Sequence, residues 1–232
     1  MTKIEIDSVD KRYRQMDGNS LQVLDDVRFE TDENDFLCIL GPSGCGKSTL
    51  LNIIAQLEEP SAGSVAVGSE DSPTDVCFVF QEPRLLDWRT VRQNIEFALD
   101  GKGVPKDEWD ERIETYLELV GLEDFVDEYP RSLSGGMQQR VSIARAMAVE
   151  PDVILMDEPF SSVDEITARN LRSDLVDIWK DQERTIVFVT HDAIEATYLA
   201  NRVLVMSHRP SSVLVQEKID IARPRSIDDP EL

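Results

Sequence analysis

The run Gly41-Pro-Ser-Gly-Cys-Gly-Lys-Ser48 constrains this chain more than any other feature. It fits the pattern Gly-x4-Gly-Lys-Ser/Thr, whose geometry needs a strand before it and a helix after it. Both are legible, since Phe36-Leu40 is a short apolar run and Ser48-Leu57 reads as a helix. Small residues let successive backbone N–H groups wrap a phosphate, and the helix N-terminus adds the positive end of a dipole. Lys47 would neutralise phosphate charge and Ser48 could ligate Mg2+. Gly41, Pro42, Ser43, Gly44, Cys45, Gly46, Lys47, Ser48 and Thr49 are therefore the expected phosphate-binding stretch.

Four further apolar, β-branched runs occur at Val76-Phe80, Val153-Met156, Thr185-Val189 and Val203-Met206. Several are followed by helix-like segments, the pattern of buried parallel strands under covering helices. The first ~35 residues alternate instead (Ile4, Ile6, then Leu21, Val23, Val27, Phe29) around a polar turn at Asp17-Gly18-Asn19, which predicts antiparallel strands at one edge. Between about Glu82 and Val149 the strand signal vanishes. There Val91-Leu99, Trp109-Val120 and Ser134-Val149 read as helices separated by Gly and Pro breaks. Arg169-Lys180 places Leu171, Leu175 and Ile178 on one helix face, expected to pack on the sheet. The tail after Ala222 reads as loosely held.

The formal net charge is −22, from 46 acidic against 24 basic residues, which opposes non-specific binding to nucleic acid or anionic lipid. With most of the basic residues Arg and the carboxylates dispersed, a salt-rich, halophilic cytoplasm is expected; an ordinary acidic protein fits the same composition. The start has no secretory apolar stretch, and no run approaches the ~18 apolar residues of a membrane span. The chain is expected in the cytoplasm, reaching a membrane only through a protein partner. Cys38, Cys45 and Cys77 show neither disulfide nor zinc spacing, and Cys38 and Cys77 read as small buried hydrophobes.

Two more motifs carry chemistry. Val153-Ile-Leu-Met-Asp157-Glu158 is an apolar strand ending in two carboxylates. Beside a phosphate loop, Asp157 would hold Mg2+ and Glu158 could take the proton of an attacking water; alone, the pair would also fit a helix cap followed by an exposed Glu. In Leu133-Ser134-Gly135-Gly136-Met137-Gln138, Ser134 can cap the next helix while the glycines expose its first N–H groups. That makes a second anion-binding helix start, or a plain cap.

In this order the phosphate loop, the strand-end Asp-Glu and the Leu-Ser-Gly-Gly run resemble the nucleotide-binding domain of ATP-binding-cassette proteins, over nearly the whole chain. The resemblance implies a P-loop NTPase fold of the α/β class, a mixed sheet with an antiparallel N-terminal flank and an inserted helical subdomain. It implies one domain over residues 1–232, with the core at 1–81 and 150–232 and the signature subdomain at 82–149. It implies ATP and Mg2+ as ligands and ATP hydrolysis as the activity. Tyr13 matches the residue that stacks on adenine, and Gln81 the glutamine that senses Mg2+ and the attacking water. Ser161-Ser-Val-Asp164 matches the loop that communicates across the dimer, and His191 the histidine contacting the γ-phosphate. Taken singly, Tyr13 and Gln81 would be ordinary strand-end residues, Asp164 a cap and His191 a hydrogen-bonded structural histidine. In this family two copies pair head to tail, so each ATP would lie between Lys47 of one chain and Ser134, Gly135 and Gly136 of the other.

The segment Gln81-Ile95, Phe160, the stretch His191-Met206, Arg209-Pro210 and Arg223-Pro-Arg225 are similar to the importers of nitrate, sulfonate, taurine and related small anions. Partners implied are permease subunits and, indirectly, an extracytoplasmic solute-binding protein. Leu85, Leu86 and Trp88 would form a groove for a permease helix, or pack in the core. Ser162-Val163 and Glu165-Ile166 each stand where Ala-Leu is common, a departure that could alter dimer communication. The sequence ends soon after Arg225, so the regulatory domain of sugar-importer ATPases is not expected. A repair or translation ATPase shares the cassette, but one cassette with a −22 charge opposes a DNA or ribosome partner. A non-catalytic cassette would lack Lys47, Asp157 or Glu158, and all three are present.

Overall fold

The computed structural model describes residues 4–16, 18–68, 74–182 and 184–225. The central sheet contains β3 (Phe36–Leu40), β5 (Val76–Val79), β6 (Val153–Asp157), β7 (Thr185–Thr190), β8 (Arg202–Met206) and β9 (Val213–Lys218). Their order is β5-β6-β7-β3-β8-β9, with β9 antiparallel to β8 and the other neighbours parallel. The inner strands are apolar without interruption because both faces are covered. Alternate residues serve different cores. Phe36, Cys38, Ile154, Met156, Ile186 and Phe188 join one cluster, with residues of α4 (Gly135–Ala148), α5 (Glu165–Gln182) and α6 (Ala193–Leu199). Leu37, Ile39, Val153, Leu155, Val187 and Val189 join the other.

That second cluster is completed by α1 (Lys47–Ile54) and by a three-stranded sheet of order β2-β1-β4, made of β1 (Ile4–Arg14), β2 (Ser20–Glu30) and β4 (Ala62–Val67). The antiparallel N-terminal strands are present as expected, but they form their own sheet instead of an edge of the main one. The reason is that β1 finds a partner on each side, β2 and β4. Of the turn expected at Asp17-Gly18-Asn19, Asp17 lies outside the described residues. Helices α2 (Val91–Gly101), α3 (Trp109–Leu119) and α4 follow β5 and precede β6, where the strand signal vanishes. A capping box starts α2: Thr90 accepts from the Gln93 amide, and the Gln93 side chain bonds back to the Thr90 backbone.

Three expectations need correction. Helix α1 stops at Ile54, short of Leu57, because Gln56 turns out of the helix with φ 56°. Cys38 is buried, but Cys77 is only half-buried because β5 is an edge strand; burial still pushes its thiol up to about 11. Of the tail expected to be loose after Ala222, residues 223–225 are firmly held, and residues 226–232 lie outside the described residues. Arg225 is buried and donates to the carbonyls of Thr197 at 2.6 Å, Ala200 at 2.5 Å and Ile219 at 3.1 Å, so it satisfies the C-terminal end of α6. Arg223 donates to Tyr198 O and Leu199 O and lies over the Trp179 ring. Burial first and the Arg225 charge second lower the Arg223 guanidinium to about 10. Among the described residues, no helix is long and apolar enough to cross a membrane.

Candidate nucleotide site

The phosphate loop joins β3 to α1, as its sequence requires. Gly46 is the N-cap of α1 at φ 117°, and a Cβ there would lie 2.7 Å from Val23 Cγ1, so only glycine fits. Lys47 is buried, its Nζ donating to Gly41 O at 2.8 Å and Pro42 O at 3.2 Å. Cys45 is buried beneath the loop in the same core as α1. Ser43, Gly44, Gly46, Lys47, Ser48 and Thr49 line a cavity of about 380 Å3, joined by Tyr13, Gln81, Glu158 and Arg209.

Strand β6 ends at Asp157, and Glu158, the residue after it, lines this cavity. Asp157 is buried, and its carboxyl is pushed above the usual range, first by desolvation and then by Glu158, against the pull of Ser48 and Lys47. Although the Ser48 hydroxyl bonds the carboxylate, its Oδ1 has no hydrogen-bond partner. The orphaned Asp157 oxygen beside the Ser48 hydroxyl, with Ser48 and Gln81 both lining the cavity, is oxygen chemistry that fits Mg2+. Glu158 adopts φ 43°, a left-handed conformation that costs a non-glycine residue about 1–2 kcal/mol. Its backbone N–H is fixed by Val189 O at 3.1 Å. The carboxylate meets Lys47 Nζ at 3.5 Å through Oε1 and His191 Nδ1 at 3.1 Å through Oε2. His191 leaves β7 just before Asp192, which caps α6 by accepting from the amides of Ile194 and Glu195.

Tyr13 pairs with Leu21 near the end of β1, with Lys11 Nζ 5.1 Å from its ring centroid. Burial, and then the Glu58 bond to its hydroxyl, raise the phenol above its ordinary value. The second glycine-bearing helix start, read from sequence as an anion site or a plain cap, lies elsewhere. Ser134 caps α4, its Oγ accepting from the Met137 amide at 3.3 Å, and neither it nor Gly135, Gly136 or Asp164 lines the cavity. Gly135 faces open space, whereas a Cβ on Gly136 would meet Ser162 O at 3.3 Å, so the helix start abuts the 161–164 segment of its own chain. Asp164 caps α5 by accepting from the Thr167 amide at 3.0 Å, the structural role open to it from sequence.

The ABC transporter family model matches residues 24–161, the stretch holding the phosphate loop, the Ser134 cap and the carboxylate pair. The chain belongs to the ABC transporter family. A Methanocaldococcus jannaschii protein described as an uncharacterised ABC transporter ATP-binding protein is 44% identical over 96% of this cassette and 84% of its own length. An aliphatic sulfonates import ATP-binding protein of Bacillus cereus is 39% identical over 96% of this chain and 89% of its own. A taurine import ATP-binding protein of Roseobacter denitrificans is 38% identical over 96% and 84%. Among solved structures, the dimeric ABC transporter cassette MJ0796 superposes with TM-score 0.84 at 32% identity, covering 94% of this chain and 100% of that one. The same cassette in a post-hydrolysis state with ADP and phosphate gives TM-score 0.83 at 32% identity, over 94% and 100%. The present cassette is an ATP-binding subunit of that family, and an ATPase.

Three cavity residues, Leu21, Val23 and Arg209, were not foreseen as part of the site. Arg209 reaches the loop because Ser211 N–H donates to Val23 O and Ser211 O accepts from the Asp25 amide, drawing the β8–β9 turn against β2. Its Nη2 lies 3.6 Å from where a Gly44 Cβ would be. No local motif signals a contact made across so much sequence.

Proposed function

We propose that this cassette energises an importer of a small anion such as nitrate, a sulfonate or taurine, hydrolysing Mg2+-ATP at two sites shared head to tail by a homodimer. The observation that carries the catalytic reading is the convergence of Lys47 and His191 on Glu158, at 3.5 and 3.1 Å. In this reading the loop amides and Lys47 hold the β- and γ-phosphates, with Arg209 adding positive charge at the cavity wall. Tyr13 stacks on adenine and Gln81 orients the attacking water. Glu158 accepts the water's proton, while His191 steadies the γ-phosphate. Ser48, Asp157 and Gln81 would hold Mg2+, which when bound neutralises charge on the phosphate oxygens. Ser134, Gly135 and Gly136 face the γ-phosphate of the partner's ATP, and Asp164 links the two sites. Their place outside their own chain's cavity supports that assignment.

Residues 82–149 are the proposed signature subdomain, receiving the permease so that the cassette works at the cytoplasmic face of a membrane. Trp88 is 74% exposed beside half-buried Leu85 and Leu86, which favours docking over core packing for the tryptophan. Trp88→Ala is expected to lower substrate uptake and permease co-purification at least tenfold, the ~1.4 kcal/mol of one buried anchor, with the isolated subunit's ATPase rate unchanged. Uptake of labelled nitrate, taurine and alkanesulfonates through the assembled transporter measures it, and full uptake by the variant would remove Trp88 from the interface. The −22 charge supports a second expectation, that the unfolding midpoint rises from 0.1 M toward molar KCl, in the range where about 3–10 Å Debye lengths screen the carboxylates. A midpoint already maximal at the lower salt would reject a salt-adapted surface.

A further inference from the structure

Between Glu165, which follows Asp164, and the residues flanking His191 runs a continuous line of hydrogen bonds, charge-assisted as far as Thr190. At one end Glu165, next to Asp164 and three-quarters exposed, accepts from Arg172 Nη1 at 3.0 Å and Nη2 at 3.3 Å. Arg172 is buried on α5, its guanidinium 6.0 Å from the ring of Phe160, two residues beyond Glu158. Its Nε donates to Glu195 Oε1 at 3.0 Å. Glu195, buried on α6, accepts the Thr190 hydroxyl at 2.5 Å through Oε2. Thr190 Oγ1 accepts the Asp192 amide at 3.1 Å, so the bonded residues bracket His191 on both sides. The desolvation of an ion pair so enclosed is offset by further hydrogen bonds, and here Glu165 and Thr190 supply them at the two ends.

We propose that Arg172 and Glu195 form a strut that transmits the position of the Asp164 segment to His191 of the same chain, so that closure of the shared interface sets the γ-phosphate contact. They are positioning residues and touch no reacting atom. The inference rests on the reading of His191 given above, and the experiment separates the two.

With only two histidines in the chain, His191 and His208, each imidazole gives a resolvable NMR signal. Arg172→Met and Glu195→Gln are expected to lower kcat about tenfold with little change in KM for ATP, in the range of measured coupling residues, and to move the His191 signal while His208 stays. Arg172→Lys should recover part of the rate. Should the buried substitutions prevent folding, Glu165→Ala severs the strut at its exposed end and should lower kcat about threefold. His191→Ala is the reference. If it loses activity while the folded strut variants keep native kcat and an unmoved His191 signal, the pair is merely structural and the strut is overturned. If His191→Ala keeps native activity, the role of His191 falls and the strut with it.

Discussion

Glu158→Gln is expected to stop turnover, lowering kcat by about 10²–10⁴-fold, the usual contribution of a positioned general base, without weakening ATP binding. The substitution preserves volume and leaves the Gly41 and Pro42 carbonyls that hold Lys47. It removes the carboxylate on which Lys47 and His191 converge. It also removes a negative charge that raises the Asp157 carboxyl, and it leaves the proposed Mg2+ ligands Ser48, Asp157 and Gln81 in place. Dimers formed with ATP should therefore accumulate on size-exclusion chromatography while phosphate release ceases. Near-native release from this variant would exclude Glu158 as the base.

Much of this site is legible in sequence because its parts are local. The phosphate loop, the strand ending in Asp157-Glu158 and the Ser134 cap are each set by consecutive residues whose geometry depends on immediate neighbours. The buried parallel strands are equally plain, since residues covered on both faces must be apolar throughout. Strands β4 and β9 escape notice because they are exposed edges with little apolar patterning. Arg209, Arg225 and the Arg172–Glu195 pair escape for another reason. Each acts on residues distant in sequence or on an adjoining element, and an arginine destined for a carbonyl-lined socket looks like any solvated arginine in a chain with 24 basic residues. The same holds for residues 223–225, since nothing in the local sequence reveals that Arg225 caps α6.

The central claim is that each ATP is handled by two chains, and a mixed dimer tests it most directly. Lys47→Ala removes the buried ammonium of the phosphate loop, and Ser134→Arg places bulk at the exposed start of α4, where a γ-phosphate must approach the Gly135 and Gly136 amides. Each homodimer then carries two defective sites. In a heterodimer one site combines both lesions, while the other joins an intact Lys47 to an intact Ser134 from the opposite chain. Single-turnover hydrolysis by the purified heterodimer is the measurement. The account predicts that one ATP per heterodimer is cleaved where neither homodimer cleaves any; no recovery, with pairing demonstrated, would mean that each chain handles its ATP alone.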